Sequence, residues 1–188
     1  MYNDPVRRWM VDHIWLFIVL MVVMILTMCA LVCVKTIART PPYNYAALFL
    51  FTGCMGYMVA QVCASVNDPN IVIAAAFITA GMVVAITVYA FTMSDRDLVI
   101  CIGLLFVLVM TSMMVAIFSI FIRNRFLHMF YVGIAVVIFG LYLLFDTKLL
   151  LDGKTYHLFI DDYVLAAMIL YIDIIMIFLY LLRLLSDR

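Results

Sequence analysis

Charged residues are scarce in this chain of 188 residues, and their scarcity excludes several classes of protein. Only 12% of the residues are charged while 70% are hydrophobic, and the mean hydropathy is +1.26. Soluble domains are nearer half apolar and a quarter charged, so this composition indicates a polytopic membrane protein. The net charge is zero. No basic patch is present to attract nucleic acid, and we expect no such partner.

Metal-ligating residues are also few. The three histidines are dispersed, and the five cysteines lie in or at the edge of apolar runs, where free cysteine behaves as a small hydrophobe. This pattern indicates neither a disulfide framework nor a zinc site. We therefore expect no cofactor and no metal site of high affinity. Glutamate is absent, so all eleven acidic residues are aspartates.

Long apolar runs account for most of the chain. A membrane-spanning helix needs about 20 mostly apolar residues, and six runs meet that requirement: roughly 14–34, 45–66, 71–93, 98–122, 127–146 and 160–185. The connections between them are too short to form a catalytic domain. The sequence therefore predicts an all-α polytopic membrane helix bundle of about six transmembrane helices, forming one domain over residues 1–188.

Small residues at helical spacing predict close helix contacts within the membrane. They occur in the second, third and fifth runs: Gly53, Gly56, Ala60, Ala64; Ala76, Ala80, Gly81, Ala85; Gly133 and Gly140. We expect Gly56→Leu to disrupt the bundle. Lysine and arginine are spread almost evenly over the two sides, so the positive-inside bias does not decide the orientation.

Two aspartates lie within these apolar runs, Asp146 in "LYLLFDTK" and Asp173 in "LYIDIIMIF". A carboxylate at the centre of a membrane helix costs roughly 2.5–3.5 kcal/mol on translocon scales, and such groups usually face the bundle interior and mark an ion or proton path. Neither run contains a basic residue placed to neutralise its aspartate. Lys148 is about 200° round the helix from Asp146, and we expect its side chain to extend to the interface. Because neither aspartate has a basic partner in its own run, the sequence predicts that the two aspartates contact each other.

The helical faces that carry these aspartates agree with this interpretation, since each mixes aromatic, small and polar groups. On the first helix the face contains Tyr131, Ala135, Phe139 and Tyr142; on the second it contains Asp162, Ala166, Ile169, Ile177 and Tyr180. Two alternatives stay open. Asp146 lies near the end of its run and could be an interfacial cap or reach water, and Asp173 could serve a purely structural hydrogen bond.

Three stretches of the chain resemble the transmembrane BAX inhibitor motif family, which includes the Lifeguard and Golgi anti-apoptotic proteins. "FGLYLLFDTKLLLDGK" and "DDYVLAAMILYIDIIMIFLYLLRLL" are similar to its penultimate-helix and last-helix motifs, and "ALFLFTGCMGYMVAQV" is similar to a glycine-containing helix upstream. The chain departs from the family pattern at Phe145 and Lys148, where tyrosine and glutamine are usual. The family commonly has seven spans, and the first has no counterpart here.

The resemblance implies roles for particular residues. Asp146 and Asp173 match the family's paired aspartates, which form a proton-sensitive unit in a calcium-leak pathway and would bind calcium only transiently. Arg39 is the nearest match to a basic residue that latches onto that pair in bacterial relatives, although it could also be an ordinary interfacial charge. The implied location is the endoplasmic reticulum or Golgi, or the plasma membrane.

The leading functional hypothesis is a pH-sensitive, channel-like regulator that leaks calcium from an internal store and inhibits apoptosis. Its expected partners are the lipid bilayer, calcium ions and membrane proteins of the cell-death machinery. One alternative is a membrane interaction protein that regulates cell death without transport. An intramembrane aspartyl protease is less favoured, because such enzymes usually have Gly-x-Gly-Asp where this chain has "YIDII". We therefore expect no enzymatic activity.

Overall fold

Six α-helices make up the computed structural model of the protein, which describes residues 13–33, 40, 42–66, 68–121, 125–152 and 163–186. They are α1 (Ile14–Cys33), α2 (Tyr43–Ser65), α3 (Pro69–Thr92), α4 (Asp95–Phe121), α5 (Arg125–Asp152) and α6 (Tyr163–Ser186). The predicted all-α bundle of about six helices is confirmed, and no strand occurs in these residues.

Polar residues or proline mark several of the helix boundaries. Proline at position 69 opens α3, a position where its missing N–H is harmless. Ser94 separates α3 from α4, and its backbone N–H donates to Asp97 Oδ2 at 3.2 Å. Five helices, α2 to α6, are long and apolar enough to cross a membrane. In α1 the apolar stretch within the described residues is shorter, Trp15–Leu31. The protein is therefore a multi-pass membrane protein whose exposed apolar faces contact lipid.

The chain divides into two compact units. One contains Met1–Asp68 and Leu158–Met168, and within it α1 packs along α2. The other contains Pro69–His157 and Ile169–Arg188, and within it α5 packs along both α3 and α4. That the whole chain forms a single domain stays a prediction.

The core of the second unit lies where α3, α4 and α5 meet. Its buried members are Ala90, Met93, Cys101 and Leu144, with Ile86, Leu98 and Leu141 packed against them. One expected close contact is present there, since a Cβ at Gly140 would lie 3.7 Å from Ile86 Cδ1 and 3.9 Å from Met82 Cε. Gly140 therefore faces α3, where a Cβ would make ordinary van der Waals contact with two side chains.

Most of the other predicted small-residue contacts are wrong for the described part of the chain, and Ala64, which is half-buried, is not decided. A Cβ built at Gly53, Gly56, Gly81 or Gly133 meets no described atom within 4 Å. Ala60, Ala76, Ala80 and Ala85 are exposed. Spacing alone cannot distinguish a small residue that admits a neighbouring helix from one that faces lipid. The expectation that Gly56→Leu disrupts the bundle loses its basis.

Candidate functional site

The structure brings Asp146 and Asp173 together. Asp146 lies six residues before the end of α5, and Asp173 lies ten residues after the start of α6. Their carboxyl groups are hydrogen-bonded to each other. Asp173 is 6% exposed, whereas Asp146 is partly exposed. Both belong to the second unit, so the site is built within one compact part of the molecule.

The expected end of the fifth helix was wrong, and the difference changes the setting of Asp146. The sequence predicted an end at residue 146, but α5 continues to Asp152. Residues 147–152 contain three leucines, and nothing in them breaks a helix. Asp146 is therefore inside the helix and does not cap it, which removes one of the two alternatives for this residue.

A hydrogen bond between two carboxyl groups requires a proton. An ionised carboxylate only accepts hydrogen bonds, so one of the two groups must carry the O–H that donates to the other. Asp173 Oδ2 is buried, and no hydrogen-bond partner is found for it among the described residues. Leaving such an oxygen unsatisfied costs roughly 1–3 kcal/mol. In a pair that shares one proton, one carboxyl group would donate to the other, and Asp173 Oδ2 is a buried oxygen that a cation or water could approach.

Aromatic side chains border the carboxyl pair on the side toward the start of α5. The ring of Phe139 stacks on that of Tyr180, with centroids 5.4 Å apart and an interplanar angle of 23°. Phe139 also contacts Tyr142, at 6.0 Å and 47°. These residues were expected on the two aspartate-bearing faces, and the ring contacts place them there. Ile177, one turn after Asp173, is fully buried.

The placement expected for Lys148 was wrong. Its side chain is 8% exposed and does not extend to the interface. Lys148 follows Leu144 by one turn, and Leu144 packs into the core between α3 and α4. Because Asp146 is about 200° away round the helix, the lysine lies on a different face of α5 from the carboxyl pair. One feature of the sequence was compatible with this burial. Lys148 continues the spacing of Leu141 and Leu144, which places all three residues on one helix face, although a charged residue does not usually occupy such a position.

Two other predictions concern residues outside those that the structure describes. Arg39 is expected to be a latch, and Asp161 and Asp162 are expected to favour the start of the last helix through its dipole and not to belong to the core site. Both stay predictions. For metal binding, no group of three or more His, Cys, Asp or Glu side chains clusters in the part of the chain that the structure describes. The carboxyl pair therefore offers two acidic side chains to a cation, whereas Ca²⁺ usually takes six to eight oxygen ligands.

A small apolar cavity adjoins this region on the α4 side. Its volume is about 100 Å³, and it is lined by Cys101, Ile102, Leu105, Tyr142 and Phe145. Tyr142 thus lines the cavity and also contacts the ring of Phe139. Phe145, another lining residue, directly precedes Asp146. No pattern in the sequence indicated this cavity, because the lining residues of α4 are ordinary members of an apolar run.

Comparisons with known proteins agree with the motifs at this site. A family model described as "Inhibitor of apoptosis-promoting Bax1" matches residues 3–188. Protein lifeguard 3 of Homo sapiens is 31% identical over 191 residues, covering 100% of this chain and 61% of the relative. Protein LIFEGUARD 4 of Arabidopsis thaliana is 32% identical over 170 residues, covering 89% of this chain and 66% of the relative. The chain thus spans about three-fifths to two-thirds of the length of these relatives.

Proposed function

Since the chain belongs to the family described as inhibitors of apoptosis-promoting Bax1, we propose that it is a channel-like membrane regulator of cell death. It passes calcium slowly out of an internal store, which lowers the releasable pool and so inhibits apoptosis. The membrane is that of the endoplasmic reticulum or the Golgi, or the plasma membrane. No enzymatic step is part of this function.

One observation carries the proposal: two carboxyl groups inside membrane helices are hydrogen-bonded to each other, and Asp173 Oδ2 is left buried without a partner among the described residues. Carboxylate oxygens are hard ligands of the kind that calcium prefers. Two acidic side chains are too few for a tight calcium site, so transient binding during passage fits this pair better than storage does.

The shared proton supplies a means of control. With the proton in place, the two carboxyl groups are bridged and the helices are held together at this level. When it leaves, two like charges face each other in a medium of low dielectric constant and repel strongly. The helices then separate, or they recruit a cation. Arg39 is the candidate cation from within the chain, and calcium is the candidate from outside. The two carboxyl groups therefore titrate as a unit.

Calcium flux into liposomes, measured against pH, tests this function. The variants are Asp146→Asn, Asp173→Asn and the double substitution. We expect each single substitution to flatten the pH response, because an amide cannot release the shared proton. The double should add little to the stronger single. Asp97→Asn is the matched control, since Asp97 is exposed at the start of α4 and its replacement should keep the wild-type profile.

Two results would contradict the proposal in different ways. If both single variants keep the wild-type pH profile, the aspartate pair does not control the flux. If purified wild-type protein carries no calcium at any pH, the chain acts instead by helix contact with other membrane proteins. Arg39→Gln separates the latch from an interfacial charge, because only loss of a latch shifts the pH at which flux changes.

A further inference from the structure

The contacts between α5 and α6 continue beyond the carboxyl pair, and those at the second level differ in kind. Phe139 lies seven residues before Asp146 on α5, and Tyr180 lies seven residues after Asp173 on α6. Seven residues are two helical turns on the same face, or roughly 10 Å. The two helices therefore meet at two levels in antiparallel register, first through carboxyl groups and then through stacked rings.

A second bond strengthens the aromatic level. The hydroxyl group of Tyr180 is hydrogen-bonded to that of Tyr131, which lies two turns before Phe139 on α5. We call Tyr131, Phe139 and Tyr180 together the aromatic clamp. Stacked aromatic pairs contribute beyond the area they bury, and both tyrosines of the aromatic clamp are half-buried. In the aromatic clamp two rings are stacked and the two hydroxyl groups are paired with each other.

The two levels depend on protons differently. The bond between Asp146 and Asp173 requires one carboxyl proton, whereas the hydroxyl bond of the aromatic clamp uses a phenolic proton, which an ordinary tyrosine keeps up to about pH 10. Ile177 is fully buried between the two levels. Among described helix pairs, α5–α6 is not one with extensive close backbone approach, unlike α3–α5 and α4–α5. The contact between α5 and α6 is therefore made mainly by long side chains that reach across from one helix to the other.

We infer that the aromatic clamp is the fixed end of the α5–α6 contact, about which the two helices pivot when the carboxyl pair opens. Tyr131, Phe139 and Tyr180 are positioning residues in this inference, which rests on the proposed function. They keep the two aspartates in register, so that each loss of the shared proton is followed by return to the same pairing. Without the aromatic clamp, the helices would separate along their whole length or slide past each other.

Other ionisable groups near this contact are few and can be named. On α5 and α6 they are Arg125, His128, Tyr142, Lys148, Tyr171 and Arg183, and on the adjoining helices they are Cys101 and Tyr89. His128 lies one turn before Tyr131. Arg183 acts electrostatically on Tyr180. Lys148 lies on another face of α5, and Tyr89 is 52% exposed. Of the described side chains along the contact itself, only Asp146 and Asp173 are carboxylic acids.

Distances between spin labels at the two levels test the pivot without relying on calcium flux. Exposed positions are available at both: Leu151 with Ile169 beside the aspartates, and Phe130 with Ser186 beyond the aromatic clamp. Each pair is converted to cysteine in a chain whose five native cysteines are replaced. We expect the 151–169 distance to lengthen as pH rises, while the 130–186 distance stays constant.

Substitutions in the aromatic clamp should make the 130–186 distance, which is constant in the wild type, more variable. Tyr180→Phe and Tyr131→Phe remove the same hydroxyl bond, so each should broaden the 130–186 distance distribution, and the double should add little. Phe139→Leu should broaden it further, whereas Phe139→Trp should restore a narrow distribution because stacking is kept. Tyr89→Phe is the matched control. In the native-cysteine background, the same variants should broaden the pH profile of calcium flux.

The outcomes separate this inference from the proposed function. Equal lengthening at both levels in the wild type overturns the pivot, as does a constant distance at both. An unchanged 130–186 distribution in Tyr180→Phe and Phe139→Leu overturns the role of the aromatic clamp. If the distances behave as expected but liposomes show no calcium flux, the pivot stands and the proposed function fails. If cysteine replacement prevents folding, the flux profiles of the native-cysteine variants decide, and wild-type profiles in all of them overturn the inference.

Discussion

Helix α5 has two unlike sides. Toward α3 and α4 it presents a mainly apolar face, in which Gly140 faces the half-buried Ile86 and Met82 and Leu144 packs into the buried core cluster. Toward α6 it presents Asp146 and a set of aromatic rings, joined to their partners by side-chain hydrogen bonds and stacking. The first side is packed in the way that keeps membrane helices together. The second side depends on a few specific side-chain contacts, one of which requires a carboxyl proton. The contact between α5 and α6 is therefore the one suited to open and close.

The largest effect should come from emptying the apolar side. Leu144→Ala removes a side chain that is 8% exposed and packs with Ala90, Met93 and Cys101. Truncation of a buried leucine costs about 2–5 kcal/mol, because transfer and cavity terms add. Unfolding in mild detergent measures this. Leu104→Ala makes the same change at a position that is 50% exposed and should cost far less. Equal losses in the two variants would mean that α5 is not anchored by this face.

Overfilling the same side should have a somewhat smaller effect. Gly140→Leu drives a side chain toward Ile86 and Met82, which already lie within 4 Å of the position of a Cβ. Both neighbours are flexible, so we expect a loss of about 1–3 kcal/mol in the free energy of unfolding, as is typical of overpacking. At Gly103 the same substitution meets no described atom within 4 Å, and Gly103→Leu should be tolerated. A stable Gly140→Leu variant would show that α3 and α5 are free to move apart.

The contrast between Gly140 and Gly56 shows how far the sequence could predict the fold. Length and hydropathy predicted the helices to within a few residues, except that α5 runs to Asp152 and not to 146. The acidic residues in apolar runs predicted the meeting of Asp146 and Asp173, because a membrane offers them few other partners. Spacing could not tell that Gly140 is covered while Gly56 is not, since both patterns are equally helical. The burial of Lys148 could not be predicted for the same reason. It depends on which neighbouring helix covers the face of α5 that carries Lys148, and spacing does not show this.

The polar side should contribute less to stability and more to control. A double-substitution cycle with Asp146→Asn and Asp173→Asn should give a coupling of about 0.5–1.5 kcal/mol, the usual net value of one hydrogen bond. The coupling should be favourable at pH values where the shared proton is bound and should become unfavourable where both carboxyl groups are ionised, because the two charges then repel. Detergent unfolding of the four proteins at several pH values measures it. A coupling that does not vary with pH would remove the distinction between the proton-dependent side of α5 and its apolar side.

The smallest effect should come from Thr79→Val, which tests how a polar group is tolerated on the apolar side. Thr79 is 5% exposed on α3, one turn before Met82, and its Oγ1 donates to Ala75 O at 2.7 Å. That carbonyl keeps its helical N–H donor when the hydroxyl is removed, so nothing is left unsatisfied. We expect a change on the order of 0.5 kcal/mol or less, in either direction. Asp173 differs because its partner lies on another helix and its Oδ2 has none among the described residues. If Thr79→Val alters the pH profile of flux as Asp173→Asn does, the apolar side of α5 takes part in the switch, and the proposed division between its two sides is wrong.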